Sequence, residues 1–233
     1  MDHYNNSSIG NSPPPRRVLI MTAVEAEREA VLRGLNGAVG FEVRLAGVGP
    51  IAAAANTATT LAAAGGAEAF DLVISAGIGG GFIGIADIAS IVIATDIIAA
   101  DLGAESPEGF LSLDELGFGS SRLKADERLS SQWAQTVLKA GIPACAAPVL
   151  TLSTVTGSAA TALELSHRIP GAAAEGMEGY GVALAAYQLN LPVLEIRAIS
   201  NPVGPRQREL WKISDALSAL ERACSLLPEV LEL

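Results

Sequence analysis

The chain is poor in the residues that build most metal and nucleophile sites. Of its 233 residues, two are histidine and two are cysteine. His3 and His167 stand far apart, too few for a histidine-built metal centre or a Ser-His pair. Cys145 and Cys224 lack metal-ligand spacing and read as reduced structural thiols of a cytosolic protein. Aromatic residues make up 4%, so alanine and glycine must fill the interior, which demands close backbone packing. Basic residues number 15 against 25 acidic, for a net charge of -10, with no basic run of four. That balance argues against nucleic acid as a partner, since neutralising phosphates needs clustered Lys and Arg. A small anionic substrate stays compatible, because one local Arg outweighs the global charge.

Long apolar runs are missing as well. The stretch 83–100 is interrupted by Asp87 and Asp96 and reads as strand, so no membrane partner is expected and the cytoplasm is the expected location. Residues 1–17 are polar, end in Pro13-Pro14-Pro15-Arg16-Arg17, and lack a signal-peptide core. They read as a disordered tail, leaving 18–233 as one domain.

What the chain has is core material. Half its residues are hydrophobic and 17% are charged. Apolar strand-like runs alternate with helical patterns: strands over 18–22, 41–46, 71–75, 88–100, 149–152, 172–174 and 193–200, and helices over 25–35, 51–64, 123–140, 157–167 and 178–189. The Ala-rich 51–64 segment reads as a buried helix, 101–119 as a long loop, and everything from about Arg206 as one long amphipathic helix. This alternation implies an α/β fold, three layers around a mostly parallel mixed sheet.

Five features carry candidate chemistry. Gly77, Ile78 and Gly79 sit in a glycine-rich run after a strand, which reads as a tight turn; the run lacks the spacing of a dinucleotide or P-loop motif. Glu178 opens a helix, where a carboxylate complements the helix dipole. Glu25, Glu27 and Glu29 follow the first strand and compete for one role. Arg197 lies in an otherwise apolar strand and must face a carboxylate or a ligand, or form a core salt bridge. Asn201 ends that strand.

These segments resemble the purine nucleosidase and phosphorylase family, in particular its methylthioadenosine/S-adenosylhomocysteine nucleosidase branch. The motifs are Ala23-Val24-Glu25-Ala26-Glu27, Gly176-Met177-Glu178-Gly179 and Arg197-Ala198-Ile199-Ser200-Asn201. The resemblance implies that Glu27 activates the attacking water and Arg197 helps place it. Met177 packs on the ribose and Glu178 accepts its hydroxyl hydrogens. The glycine-rich run lines the pocket near sugar and base, and Ser153, Thr154, Val155 and Thr156 lie along the base. Phosphorylases carry a basic phosphate-binding segment where Glu27 stands; a carboxylate there repels phosphate, so water is the expected nucleophile. No cofactor or metal is implied, and a homo-oligomer, dimer or higher, is.

The chain departs from that branch at two places. Gly176 replaces the first Glu of a Glu-Met-Glu motif, with Glu175 one residue earlier, and Asn201 replaces an Asp. An acid can protonate a departing 6-aminopurine; an amide cannot. An Asn NH₂ suits O6 of a 6-oxopurine, so hypoxanthine or guanine is favoured over adenine. The 101–119 segment and Asn201-Pro202-Val203-Gly204, followed by Arg206, Arg208 and Trp211, are similar to the futalosine hydrolases. Those enzymes cleave a hypoxanthine nucleoside whose 5′ side carries a carboxyphenyl ketone, on a route to menaquinone. Methylthioadenosine nucleosidase, 6-oxopurine phosphorylase and a catalytically silent nucleoside-binding protein remain the alternatives.

Overall fold

The computed structural model describes residues 17–232. The expected tail therefore falls outside the described residues, apart from Arg17, whose N–H donates to Asp71 at 2.9 Å. The strands are β1 (Val18–Thr22), β2 (Phe41–Leu45), β3 (Leu72–Gly81), β4 (Ile91–Ala99), β5 (Gly103–Ser106), β6 (Gly109–Ser112), β7 (Arg122–Lys124), β8 (Ala144–Thr151), β9 (Ala174–Gly176) and β10 (Val193–Pro202). The α-helices are α1 (Glu25–Leu35), α2 (Pro50–Ala64), α3 (Glu127–Lys139), α4 (Ala159–Arg168), α5 (Gly179–Tyr187), α6 (Ile213–Cys224) and α7 (Leu227–Val230).

The main sheet is mixed and mostly parallel. β1 pairs in parallel with β2 and β3, β3 with β10, β4 with β8, and β8 with β9. The β10–β4, β3–β9 and β4–β7 pairs are antiparallel. Because β3 meets both β10 and β9, the path β10-β4-β8-β9-β3 returns on itself, and β1 and β2 extend from that ring. β1 is wholly buried, as its unbroken apolar run requires of a strand covered on both faces. Helices α2 and α5 pack together, α1 packs on α6, and α3 lies on β4 and β8. This is the layered α/β arrangement that the alternation of patterns implies. No helix among the described residues is long and apolar enough to cross a membrane.

Several local expectations are corrected. The glycine run is no turn: β3 continues through Gly81, paired with β10 as far as Pro202. Glycine is a poor strand former, which is why the run looks like a turn. Here its missing side chains are what the neighbours require. A Cβ at Gly77 would lie 2.6 Å from Glu27 Oε1, and one at Gly79 2.6 Å from the Glu175 carbonyl. Helix α2 is not buried all round; only the stripe Ala53, Thr57 and Leu61 is, because alanine tolerates water as readily as a core. That stripe lies against α5, where a Cβ on Gly181 would come within 2.2 Å of the Pro50 carbonyl.

The long 101–119 loop contains the β5–β6 hairpin. The 123–140 helix is instead strand β7 followed by α3, whose start is fixed by Asp126 accepting from Leu129 N–H at 2.9 Å. The C-terminal stretch is a 3-10 turn at 208–210, then α6, then α7 beginning at Leu227-Pro228. Lys212 N–H donates to the Ser200 carbonyl at 2.8 Å, which ties the 203–212 segment back to the end of β10. Strand β9 starts two residues later than its apolar run suggests and so includes Glu175.

Candidate active site

A cavity of about 760 Å³, open mouth included, lies at the carboxyl ends of β1, β3 and β10. Ligands in α/β folds gather at such strand ends, where loops and helix starts converge.

Glu27 comes from the first turn of α1. It sits at the third helical position and reaches back over the helix start. Its Oε2 accepts from Ala23 N–H at 2.9 Å and Val24 N–H at 3.2 Å, and its Oε1 from Ile78 N–H at 2.9 Å. The side chain is 4% exposed, while Glu25 and Glu29 are exposed. Burial raises the Glu27 pKa above its ordinary value, opposed by the Arg197 charge and by the Ile78 and Val24 N–H groups. A buried carboxylate with a raised pKa is a better proton acceptor. Of the three glutamates, Glu27 alone is buried and lines the cavity.

Glu178 stands across the cavity at the start of α5. Its Oε1 accepts from Gly49 N–H at 3.2 Å and its Oε2 from Arg197 Nη1 at 3.2 Å. Arg197 does not line the cavity. Its Nε donates to Glu195 Oε1 at 2.8 Å and its Nη2 to Ser75 Oγ at 3.0 Å. Burial opposes its charge, yet Glu195, Glu178 and Glu27 together hold its pKa above the usual arginine value. These contacts tie Arg197 to Glu178 from behind the cavity wall, rather than exposing it to the cavity where the water of the expected role would stand. Glu195 was missed by sequence reading, although it lies two residues from Arg197, on the same strand face. It is fully buried, burial raises its pKa, and its Oε2 has no hydrogen-bond partner among the described residues.

Asn201 is half-buried at the end of β10. The β3–β10 ladder shifts register between Ile199 and Asn201. Such a bulge re-aims side chains, and here Ser200 and Asn201 both line the cavity despite being adjacent. Ser200 Oγ donates to Asn201 Oδ1 at 2.8 Å, and Asn201 Nδ2 to the Pro202 carbonyl at 3.0 Å.

Ile78, Gly79, Val155, Thr156 and Met177 also line the cavity. Gly77 lies beneath, between Glu27 and Arg197. Ser153 and Thr154 do not reach the cavity. Both are exposed; Ser153 N–H donates to Asp101 Oδ2 at 2.7 Å, and Thr154 faces a neighbouring cavity beside the β5–β6 hairpin. Glu175 lines the site and takes hydrogen bonds from Thr156 N–H at 2.8 Å and from the Thr156 hydroxyl. Its pKa is raised by burial, against those two bonds. It holds the 155–156 backbone in place and does not stand where the replaced Glu of the motif would, since Gly176 packs on the Arg197 guanidinium. Arg206 and Trp211 complete the wall.

Comparison with known proteins gives the family. Residues 22–232 match the family model of the phosphorylase superfamily. A futalosine hydrolase of Streptomyces coelicolor is 46% identical over 92% of this chain and 96% of its own. One from Thermus thermophilus is 32% identical, covering 82% of each chain. Among solved structures, an Asp-to-Asn mutant of Helicobacter pylori MTAN with 5′-methylthioadenosine in the active site superposes with a TM-score of 0.77 at 18% identity, over 94% of this chain and 99% of that one. Native futalosine hydrolase of Helicobacter pylori gives 0.74 at 15% identity, over 93% and 97%. At such identities these two structures speak for the fold.

Proposed function

The chain belongs to the phosphorylase superfamily, and within it we propose that the protein is a nucleosidase that hydrolyses the N-glycosidic bond of futalosine, releasing hypoxanthine and dehypoxanthine futalosine. The observation that carries the reading is the 46% identity to a futalosine hydrolase across nearly the whole of both chains. Asn201 at the cavity wall is in keeping with a 6-oxopurine.

In this reading, water attacks the anomeric carbon while the bond to the purine breaks. Glu27 accepts the water proton. Glu178 accepts hydrogen bonds from the ribose hydroxyls, which strengthen as the sugar becomes cationic. Arg197 and Glu195 fix the Glu178 carboxylate, and Met177 packs on the sugar. Asn201 presents its amide to the purine, and Val155 and Thr156 flank it. No cofactor is called on. The product's place in menaquinone biosynthesis and a cytoplasmic location belong to the same proposal. So does a homo-oligomer, for which the exposure of Val48 (58%) and Ile51 (85%), on either side of the Gly49 that bonds Glu178, is the supporting feature.

The test is incubation with futalosine, with and without inorganic phosphate, following the products by chromatography. Free hypoxanthine without phosphate is the expected result. A sugar 1-phosphate formed only with phosphate would make the protein a phosphorylase, and tight binding without turnover would make it a binding protein.

A further inference from the structure

The charges lining the cavity are sorted by sign. Glu27, Glu175 and Glu178 are its acidic groups, and Arg206 is the sole basic residue among its described lining residues. The three acids are buried, whereas Arg206 is exposed, on the segment that follows Asn201. Its side chain extends toward the 155–157 segment: a Cβ on Gly157 would lie 3.9 Å from its Cγ and 4.0 Å from its Cδ. Its guanidinium carbon stands 5.5 Å from the centre of the Trp211 ring, a stacking partner that holds a cation without neutralising it. Among the described residues Arg206 has no carboxylate partner, unlike Arg197, Arg122 and Arg168.

Cleavage of the nucleoside separates charge along one axis. The C1′–N9 electron pair leaves with the purine and spreads toward O6, while C1′ becomes cationic and bonds the water oxygen. The water proton passes to Glu27, and the purine later takes a proton from solvent. An amide at position 201 supplies no proton to the leaving base. The negative charge of a 6-oxopurine therefore needs another source of stabilisation. Preorganised charge aimed at where charge develops is a large catalytic factor.

We propose that Arg206 is a further catalytic residue, the cation that meets the oxygen-bearing edge of the departing purine across the wall formed by Asn201, Val155 and Thr156. The cavity then carries its own dipole, Glu27 and Glu178 about the sugar and a guanidinium at the base, in the sense of the charge separation, while the Glu175 carboxylate is taken up by the Thr156 N–H and hydroxyl. The inference rests on the reading of the substrate as a 6-oxopurine nucleoside. A competing assignment, Arg206 as the receptor for the carboxylate on the 5′ arm, uses the same chemistry on the other end of the substrate.

The two ends are separated by comparing futalosine with its carboxyl methyl ester on the wild type, Arg206→Met, Arg206→Lys and, as a control, Arg208→Met. Arg208 also lies near Trp211, at 5.8 Å, but does not line the cavity. The expected result is a fall in kcat of about 10- to 10²-fold for Arg206→Met, by the same factor on acid and ester, with KM little changed. Arg206→Lys should recover part of that loss, and Arg208→Met should behave as the wild type. A loss on the free acid alone, or one carried by KM, would assign Arg206 to the carboxylate and overturn the inference. So would an undiminished kcat. A wild-type protein that releases no hypoxanthine from futalosine would sink the substrate reading and this inference with it, a result distinct from an active enzyme indifferent to position 206.

Discussion

Arg197 Nε and Glu195 Oε1 meet at 2.8 Å, two residues apart on β10, and the other carboxylate oxygen of Glu195 has no hydrogen-bond partner among the described residues. Both side chains are at most 1% exposed. The same guanidinium reaches Glu178 through Nη1 at 3.2 Å, so a buried ion pair in the core extends into the wall of the cavity. Breaking a buried pair by removing one member costs about 3–5 kcal/mol, because the other charge is stranded. Arg197→Met should therefore lower stability by that order, read as the shift of a urea midpoint at unchanged slope. Glu195→Gln keeps the shape and should cost less stability while weakening nucleoside binding, as Glu178 loses a fixed brace. If Arg197→Met is as stable as the wild type, the network is not a structural element of this site.

Glu27→Gln should lose about 10²–10⁴-fold in turnover and still bind product, since the amide preserves the shape but accepts no proton. Glu25→Gln and Glu29→Gln should be close to wild type, both side chains being exposed. Steady-state rates on the three variants check this. A wild-type rate for Glu27→Gln would remove the proton acceptor from the mechanism.

The raised Glu27 pKa sets the direction of two pH effects. The carboxylate must be ionised to accept a proton, so the acid limb of kcat/KM should fall at a pH above the ordinary glutamate value of 4.5. Stability runs the other way. The folded protein holds this proton more tightly than the unfolded chain, so Glu27 contributes stability that is full below 4.5 and lost as pH rises through its raised folded value. Glu27→Gln should thus be more stable than the wild type near neutral pH, by a margin that shrinks toward pH 4. Paired pH–rate and pH–melting profiles test both signs.

Asn201→Asp should move base preference from hypoxanthine toward adenine. An ionised Asp repels the charge growing on a 6-oxopurine, and a protonated one donates to adenine N7 and accepts from N6. One hydrogen-bond mismatch is worth about 1–3 kcal/mol, so the ratio of kcat/KM values on the two nucleosides should shift roughly tenfold or more. An unchanged ratio would mean that the base is read by other groups, with the backbone at Val155 and Thr156 the first to examine.

Glu178→Gln should weaken both binding and turnover, because its contacts to the ribose hydroxyls tighten as positive charge develops on the sugar. Normal kinetics would reduce Glu178 to an acidic residue at the start of α5.

The sequence by itself determined the class of fold and the short segments from which the cavity acids come. Short apolar, strand-like runs such as Val18–Thr22 and Val193–Ile196, separated by helical stretches, allow little but a layered α/β sheet. The motifs around Glu27, Glu178 and Asn201 were legible because each is a short run of chain with a fixed relation to a strand end. What only the tertiary structure decided is the set of relations between runs far apart in sequence. Glu27 is singled out from Glu25 and Glu29 by Ile78 N–H, 51 residues away. The glycines of β3 look like a turn from propensity alone, and are strand because Glu27, Arg197 and the Glu175 backbone press where side chains would be. Arg197 could be seen to need a carboxylate, but its two partners, and its place behind the cavity wall, follow from the pairing of β3 with β10 and the bulge near Ser200. Local pattern fixes which groups exist and which face they take; burial and long-range approach decide which of them meet.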